Sequence, residues 1–229
     1  GGGIYNGDYS SPVLTNVTIA GNAASSSGGA IYNYNSSNPQ LTNVTIAGNA
    51  AAYGGGISND NSNPVLTNVT IAGNTASNSG GAIDNYNSSN PQLINVTIAG
   101  NDASTGGAIY NDTSTPVIQN SIIWANTAST GANIFNFTST PDFSYSLVEG
   151  STGNWIDFGT DSGNNIDSDP LFTDPAAAAS APTTEGDYRL KPGSPAIDAG
   201  DSTLNSLTTD LDGSPRVRGG DIDLGAYEF

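Results

Sequence analysis

The sequence predicts an all-β fold: a right-handed parallel β-helix, or β-solenoid, of about six coils with an irregular C-terminal cap or extension. Three observations predict it. A block returns every 25 to 27 residues, apolar β-branched residues recur at fixed places in each block, and Asn recurs at three more. The blocks open at Gly1, Gly28, Gly54, Gly80, Gly106 and Gly131 and set a boundary between repeats (1–150) and an acidic, aperiodic region (151–229).

Each block begins with a Gly-Gly-Ala-Ile-Tyr-Asn segment or a variant of it. It crosses a Ser/Asn-rich stretch to a Pro (Pro12, Pro39, Pro64, Pro91, Pro116, Pro141) and continues as Leu-Thr-Asn-Val-Thr-Ile-Ala-Gly-Asn or a variant. In register, Ile4, Ile31, Ile57, Ile83, Ile109 and Ile134 make one inward column, and Leu14, Leu41, Leu66, Leu93, Ile118 and Phe143 another. Val17, Val44, Val69 and Val96 alternate with Thr18, Thr45, Thr70 and Thr97 before Ile19, Ile46, Ile71 and Ile98, a period-two pattern of short strands. Three such strands per block, joined by Gly/Asn/Ser corners, make one coil. At the ordinary strand spacing six coils give a rod about 29 Å long.

The Asn columns are expected to act as ladders. Asn6, Asn33, Asn59, Asn85, Asn111 and Asn136 form the first; Asn16, Asn43, Asn68, Asn95 and Asn120 the second; Asn22, Asn49, Asn74, Asn101 and Asn126 the third. An amide both donates and accepts, so stacked Asn side chains can bond from coil to coil while tolerating left-handed corners. Asn16-Val17-Thr18 and Asn35-Ser36-Ser37 are glycosylation sequons, of which only the loop one at Asn35 suits a glycan. The Leu14 to Asn22 stretch also fits a leucine-rich repeat, but the return side of each block lacks the Leu a packed helix needs.

Composition narrows function. With no His and no Cys, the chain has neither the commonest general base nor thiolate ligands, and His-dependent triads are excluded. A formal charge of −17 with only four basic residues makes nucleic acid an unsuitable partner. No apolar run nears the roughly 20 residues of a membrane helix, so membrane insertion is not expected. The start at Gly1 without Met leads to the expectation of an extracellular or cell-surface protein processed from a longer precursor.

Fourteen of the 21 acids and all four basic residues lie beyond residue 150. Alternate carboxylates in Asp210-Leu211-Asp212-Gly213 and Asp221-Ile222-Asp223 suit a hard, oxygen-liking ion, which makes calcium at a combination of Asp198, Asp201, Asp210, Asp212 and Asp223 the one cofactor expectation. The competing expectation pairs these acids with Arg189, Arg216 and Arg218.

The blocks resemble pectate-lyase-like parallel β-helix coils, and Gly-Gly-Ala-Ile with its Asn-rich strand is similar to bacterial polymorphic outer-membrane protein repeats. The segments 165–172, 188–200, 209–216 and 222–228 resemble the C-terminal part of secreted bacterial proteins with a choice-of-anchor Q domain. These resemblances imply a secreted or surface β-helix. The chain ends one residue after Gly-Ala-Tyr-Glu, so anchoring through a C-terminal segment is not expected.

Activity, then, is expected to be structural. Residues 1–150 carry seven acids and no Lys or Arg, so a lyase acting on anionic polysaccharide is disfavoured. A polysaccharide-binding or hydrolysing β-helix is the alternative, with Asp84 in an outward Tyr column and Asp60 and Asp112 in adjacent coils; the plainer reading makes these three solubilising loop carboxylates. An ice-binding solenoid is a second alternative, through Thr18, Thr45, Thr70 and Thr97, against ordinary strand propensity. Gly1 already opens a full coil, so the chain is expected to partner itself head to tail as a homopolymer. The contact would use Gly1, Ile4 and Asn6 at one end and Tyr227 and Phe229 at the other.

Overall fold

A computed structural model describes residues 1–152 and 154–229. It is a parallel β-solenoid of about six turns, nearly all β, and among the described residues no helix is long and apolar enough to cross a membrane. The second to fifth coils each contribute strands to three sheets, and the first and sixth to two of them. The first, six-stranded, runs from Ile4–Asn6 through Ile31–Tyr34, Ile57–Asp60, Ile83–Tyr86 and Ile109–Asp112 to Ile134–Phe137. The second is built on the long strands Val13–Ala20, Gln40–Ala47, Val65–Ala72 and Gln92–Ala99, and the third on Ala50–Tyr53, Thr75–Ser79, Asp102–Thr105 and Thr127–Thr130.

The expected columns are the observed registers. Ile4, Ile31, Ile57, Ile83, Ile109 and Ile134 pair in sequence, as do Leu14, Leu41, Leu66, Leu93, Ile118 and Phe143. Strand alternation points each column into the narrow interior, where it buries almost completely from the second coil onward. In the first coil Ile4, Leu14 and Val17 stay half-buried.

The three Asn ladders form, each by its own geometry. The first lies inside the coil rather than at a corner: each Nδ2 donates to the next Oδ1 at 2.8 to 2.9 Å from Asn6 to Asn136. In the third ladder each amide also reaches carbonyls, so that Asn74 donates to Ile46, Ala72 and Asn101 while accepting from Asn49. Only the second ladder is left-handed, with φ between 50° and 57° at Asn16, Asn43, Asn68, Asn95 and Asn120. That turn bends the long strand, and pairing skips from Thr42↔Thr67 to Val44↔Val69. Its amides donate in the opposite direction, Asn43 to Asn16, Asn68 to Asn43 and Asn95 to Asn68, each at 3.2 Å. It stops short of the expected Asn120, which shares the left-handed turn yet donates to the Asp201 carbonyl and leaves Asn95 Oδ1 without a donor. A fourth ladder, of buried Ser, was not among the expectations: the Ser37, Ser62 and Ser89 amides donate to Ser62, Ser89 and Ser114 hydroxyls.

Beyond the last full coil, Trp155 packs 5.2 Å from Phe143 and 5.9 Å from Phe158, closing the interior. Asn136 ends its ladder on the Asp157 and Phe158 carbonyls, and Thr160–Asp161 adds a final short strand beside Asp142–Ser144. The chain then returns along the flank of the second sheet. Phe172, Tyr188, Leu190 and Leu224 bury against Ala72, Ala99, Ile122 and Leu147 in a second apolar cluster. Close approach is possible because the corner at Gly73 has φ +59° and no side chain: a Cβ there would lie 2.3 Å from the Thr183 carbonyl oxygen.

This return path corrects one expectation. Thr70 and Thr97 are buried beneath the tail, and Thr97 Oγ1 accepts a hydrogen bond from the Ala226 amide. Half of the Thr column is therefore an internal docking surface, and only Thr18 and Thr45 of it reach solvent.

Candidate functional site

The outward positions of the first sheet gather the most varied side chains of the solenoid. Alternation sends Ile and Asn inward, and the residues beside them outward. One outward column reads Tyr5, Tyr32, Ser58, Asp84, Tyr110, Phe135; the neighbouring one reads Tyr34, Asp60, Tyr86, then Asp112 and Phe137. Ser58 and Asp84 replace two rings between Tyr32 and Tyr110, which lie three strand spacings, roughly 14 Å, apart. The gap is the floor of a cleft of about 340 Å³.

Its other wall comes from the third sheet. Ser27, Tyr53 and Ser79 each immediately precede a left-handed Gly corner (Gly28, Gly54, Gly80), and the turn brings them against the first sheet. At Gly80 a Cβ would meet the Ile83 carbonyl oxygen at 2.4 Å, so no larger residue can make this turn unstrained. The rings are buttressed. Tyr32 lies 5.5 Å from Tyr5 and 6.0 Å from Tyr34, and Tyr110 stacks on Phe135 at 5.4 Å.

Asp84 is the centre of the site, and the structure corrects the reading of it as a solubilising loop carboxylate. It lies on a strand and is 5% exposed. The Ser79 hydroxyl donates to Oδ1 at 2.5 Å, and among the described residues the other oxygen accepts no hydrogen bond. Burial, and then the charges of Asp112 and Asp60, push its carboxyl up to about 7 against the opposing Ser79 bond. Asp60 and Asp112 sit diagonally from it on either side, two residues along and one strand over, which places their Cα atoms about 8 Å from that of Asp84. Asn87 donates to Asp60 and Thr113 to Asp112, each at 2.8 Å. Burial and the nearby Asp60 carboxylate raise the Tyr32 phenol to about 12.

The cleft can therefore accept hydroxyl or ammonium donors on its carboxylates and offer ring faces to apolar C–H surfaces. Among the described residues no group of three or more carboxylates converges on a metal position. Of its members, Asp84, Asp60 and Asp112 were legible from the outward column. Ser79 and Tyr53 were not, because only the corner geometry brings the third sheet to this site.

The five tail acids lie elsewhere, each already engaged. Asp210 is 1% exposed and accepts from the Asp212, Ser214 and Glu228 amides, while Asp223 accepts from the Asp198 and Phe229 amides. Asp198 holds the Gly220 and Asp221 amides, Asp201 holds Thr203, and Asp212 pairs with Arg189. Arg216, fully buried, donates to the Asp223 and Gly225 carbonyls, with Glu228 at 3.8 Å. These residues knit the tail. Tyr227 and Phe229 belong to the same region: Tyr227 packs on the second apolar cluster and Phe229 is tied to Asp223, along the flank rather than at an end of the rod.

Residues 16–34 and 68–86 match the Chlamydia polymorphic membrane protein repeat, and the second of these segments carries Ser79, Asp84 and Tyr86 where the first carries Ser27, Tyr32 and Tyr34. No curated protein and no solved structure gives a match. What the chain shares with that family is thus the coil, and Asp84 is a departure between its own two matching coils.

Proposed function

We propose that this chain is an extracellular surface β-solenoid that holds a glycan in the tyrosine cleft. Its carrying observation is Asp84, a buried carboxylate with one free oxygen on the floor of a cleft walled by four Tyr. A sugar ring presents apolar C–H faces and a rim of hydroxyls, which is the complement of Tyr faces interleaved with carboxylates and Ser. The polymorphic membrane protein repeat supports a surface setting. The charge of −17 argues against anionic polysaccharides as ligands.

The reading is of binding without cleavage: the Asn87 amide and the Thr113 hydroxyl each engage only Oδ1 of Asp60 and Asp112, which leaves both carboxylates able to hold a ligand. Titration of the full chain with a panel of neutral, aminated and anionic polysaccharides tests it. Neutral or aminated polymers should bind, polygalacturonate should not, and Tyr86→Ala or Tyr110→Ala should weaken binding on the order of tenfold. A panel without one binder overturns the reading, and release of reducing ends would overturn its non-catalytic part.

A second reading is head-to-tail association, in which coils of two copies stack in the same parallel register that Ile4–Asn6 makes on Ile31–Tyr34 within the chain. The opposite end is filled by Trp155 and Phe158, so docking there has to displace or extend that plug. Sedimentation of the full chain at rising concentration tests it, and a single monomeric species throughout would end it.

A further inference from the structure

We propose that the glycan held in this cleft carries positively charged ammonium groups along its length, facing Asp84, Asp60 and Asp112; this rests on the glycan reading and names its ligand class. Three carboxylates share one cleft of about 340 Å³, and residues 1–150 contain no Lys or Arg to neutralise them. Asp84 as a residue is 5% exposed, and its second oxygen, which accepts no hydrogen bond from the described residues, opens to the cleft that the residue lines. An ammonium group supplies both the missing charge and the missing donor.

Shape separates this ligand from a bare ion. The three carboxylates do not converge on one point, and with Cα atoms roughly 8 Å from the centre they suit a charge spread along a sugar rather than a compact cation. The ring faces of Tyr32, Tyr53, Tyr86 and Tyr110 add the attraction an ammonium feels over an aromatic face. An N-acetylated sugar of the same backbone keeps the apolar faces and loses the charge, so it isolates the ammonium contribution.

The groups facing Asp84 are Asp60, Asp112, Tyr32, Tyr86 and Tyr110 on its own sheet and Tyr53 on the adjoining one. A cation binds the ionised form of Asp84 more tightly, so affinity for a permanently charged ligand should fall as pH drops through about 7.

The test is calorimetric titration of the full chain, at physiological salt, with tetrasaccharides of glucosamine, of N-acetylglucosamine and of N-trimethylated glucosamine. The expected result is a preference of about tenfold or more for the charged tetramers over the N-acetylated one. D60N/D84N/D112N should abolish it, while D157N/D174N/E185Q, which removes three exposed charges elsewhere, should keep it. Circular dichroism checks that both triple variants fold, and Tyr86→Ala supplies a second lesion that leaves every carboxylate in place. Equal binding of charged and N-acetylated tetramers would overturn the ammonium proposal and leave the glycan reading standing. A preference lost equally in both triple variants would reduce it to diffuse attraction and overturn it as well. Absence of binding by any glycan would defeat both.

Discussion

Carboxylates of the cleft and carboxylates of the tail look alike in the sequence and behave as opposites in the fold. Asp210 is as buried as Asp84, yet three backbone amides converge on it, and its charge organises the loop around it. Asp84 receives one hydroxyl and faces two like charges. What separates a structural acid from a recognition acid is therefore the number of donors the backbone supplies, since an ionised oxygen with backbone N–H partners is stabilised and one without them is not.

The largest expected effect breaks the scaffold shared by both regions. Asn74 is fully buried, and replacing it with Ala takes the acceptor from the Asn49 backbone amide and a donor each from the Ile46 and Ala72 carbonyls, although Ala72 keeps the Gly48 amide and Asn49 Nδ2 keeps the Ile19 and Ala47 carbonyls. Each buried orphan costs about 1 to 3 kcal/mol, so Asn74→Ala should lose on the order of 4 kcal/mol in denaturant unfolding. A loss below about 1 kcal/mol would mean that the ladders are decoration on an apolar core.

The comparison itself is sharpened by making one substitution in both places. Asp210→Asn keeps the shape but weakens its charge-assisted acceptors, and should destabilise the tail by about 2 to 3 kcal/mol at pH 8. Asp84→Asn removes a charge that burial opposes, and should stabilise the ligand-free protein at the same pH. Equal signs for the two variants would collapse the distinction.

Dependence on pH follows with a smaller amplitude. The folded-state carboxyls of Asp84 and Glu228 are both raised to about 7, chiefly by burial. A raised folded value favours the protonated form, so this contribution is present below the ordinary carboxylate range and is lost as pH rises through about 7. Thermal stability should therefore fall between about pH 5 and pH 8, by a few kcal/mol at most. Asp84→Asn should flatten that slope, and an unchanged slope would remove Asp84 as its source.

Legibility tracked the period. The inward columns of Ile and Leu, and the Asn ladders apart from Asn120, were readable because a solenoid repeats its environment each 25 to 27 residues; Asn120 leaves its ladder for Asp201 of the aperiodic tail. The position of the second ladder at a left-handed corner was readable too, since Asn tolerates that geometry. The tail was not, because aperiodic chain gives no register: nothing in Asp210-Leu211-Asp212-Gly213 distinguishes a metal ligand from an acceptor of its own backbone amides. Similarly, the outward Tyr column disclosed Asp84 but not its burial, which depends on Ser79 and Tyr53 arriving from another sheet.

The smallest expected effect concerns calcium. Alternating Asp residues in the tail suggested a hard-ion site, and a calcium ion would need six to eight oxygens converging within about 2.6 Å. In the fold, both Asp210 oxygens are occupied by backbone amides, Asp223 uses one oxygen on Asp198 and the other on Phe229, and Asp212 lies across Arg189. Calcium at these acids would compete with charge-assisted bonds that already order the tail, and among the described residues no three of them converge on one metal position. Adding millimolar calcium, or removing it with chelator, should accordingly leave the melting temperature unchanged within about 1 °C, far below the several degrees that a ligand at a hundred times its dissociation constant confers. A calcium-dependent rise in Tm that vanishes in Asp210→Asn but persists in Asp84→Asn would place the ion in the tail and reverse the assignment of these carboxylates as purely internal acceptors.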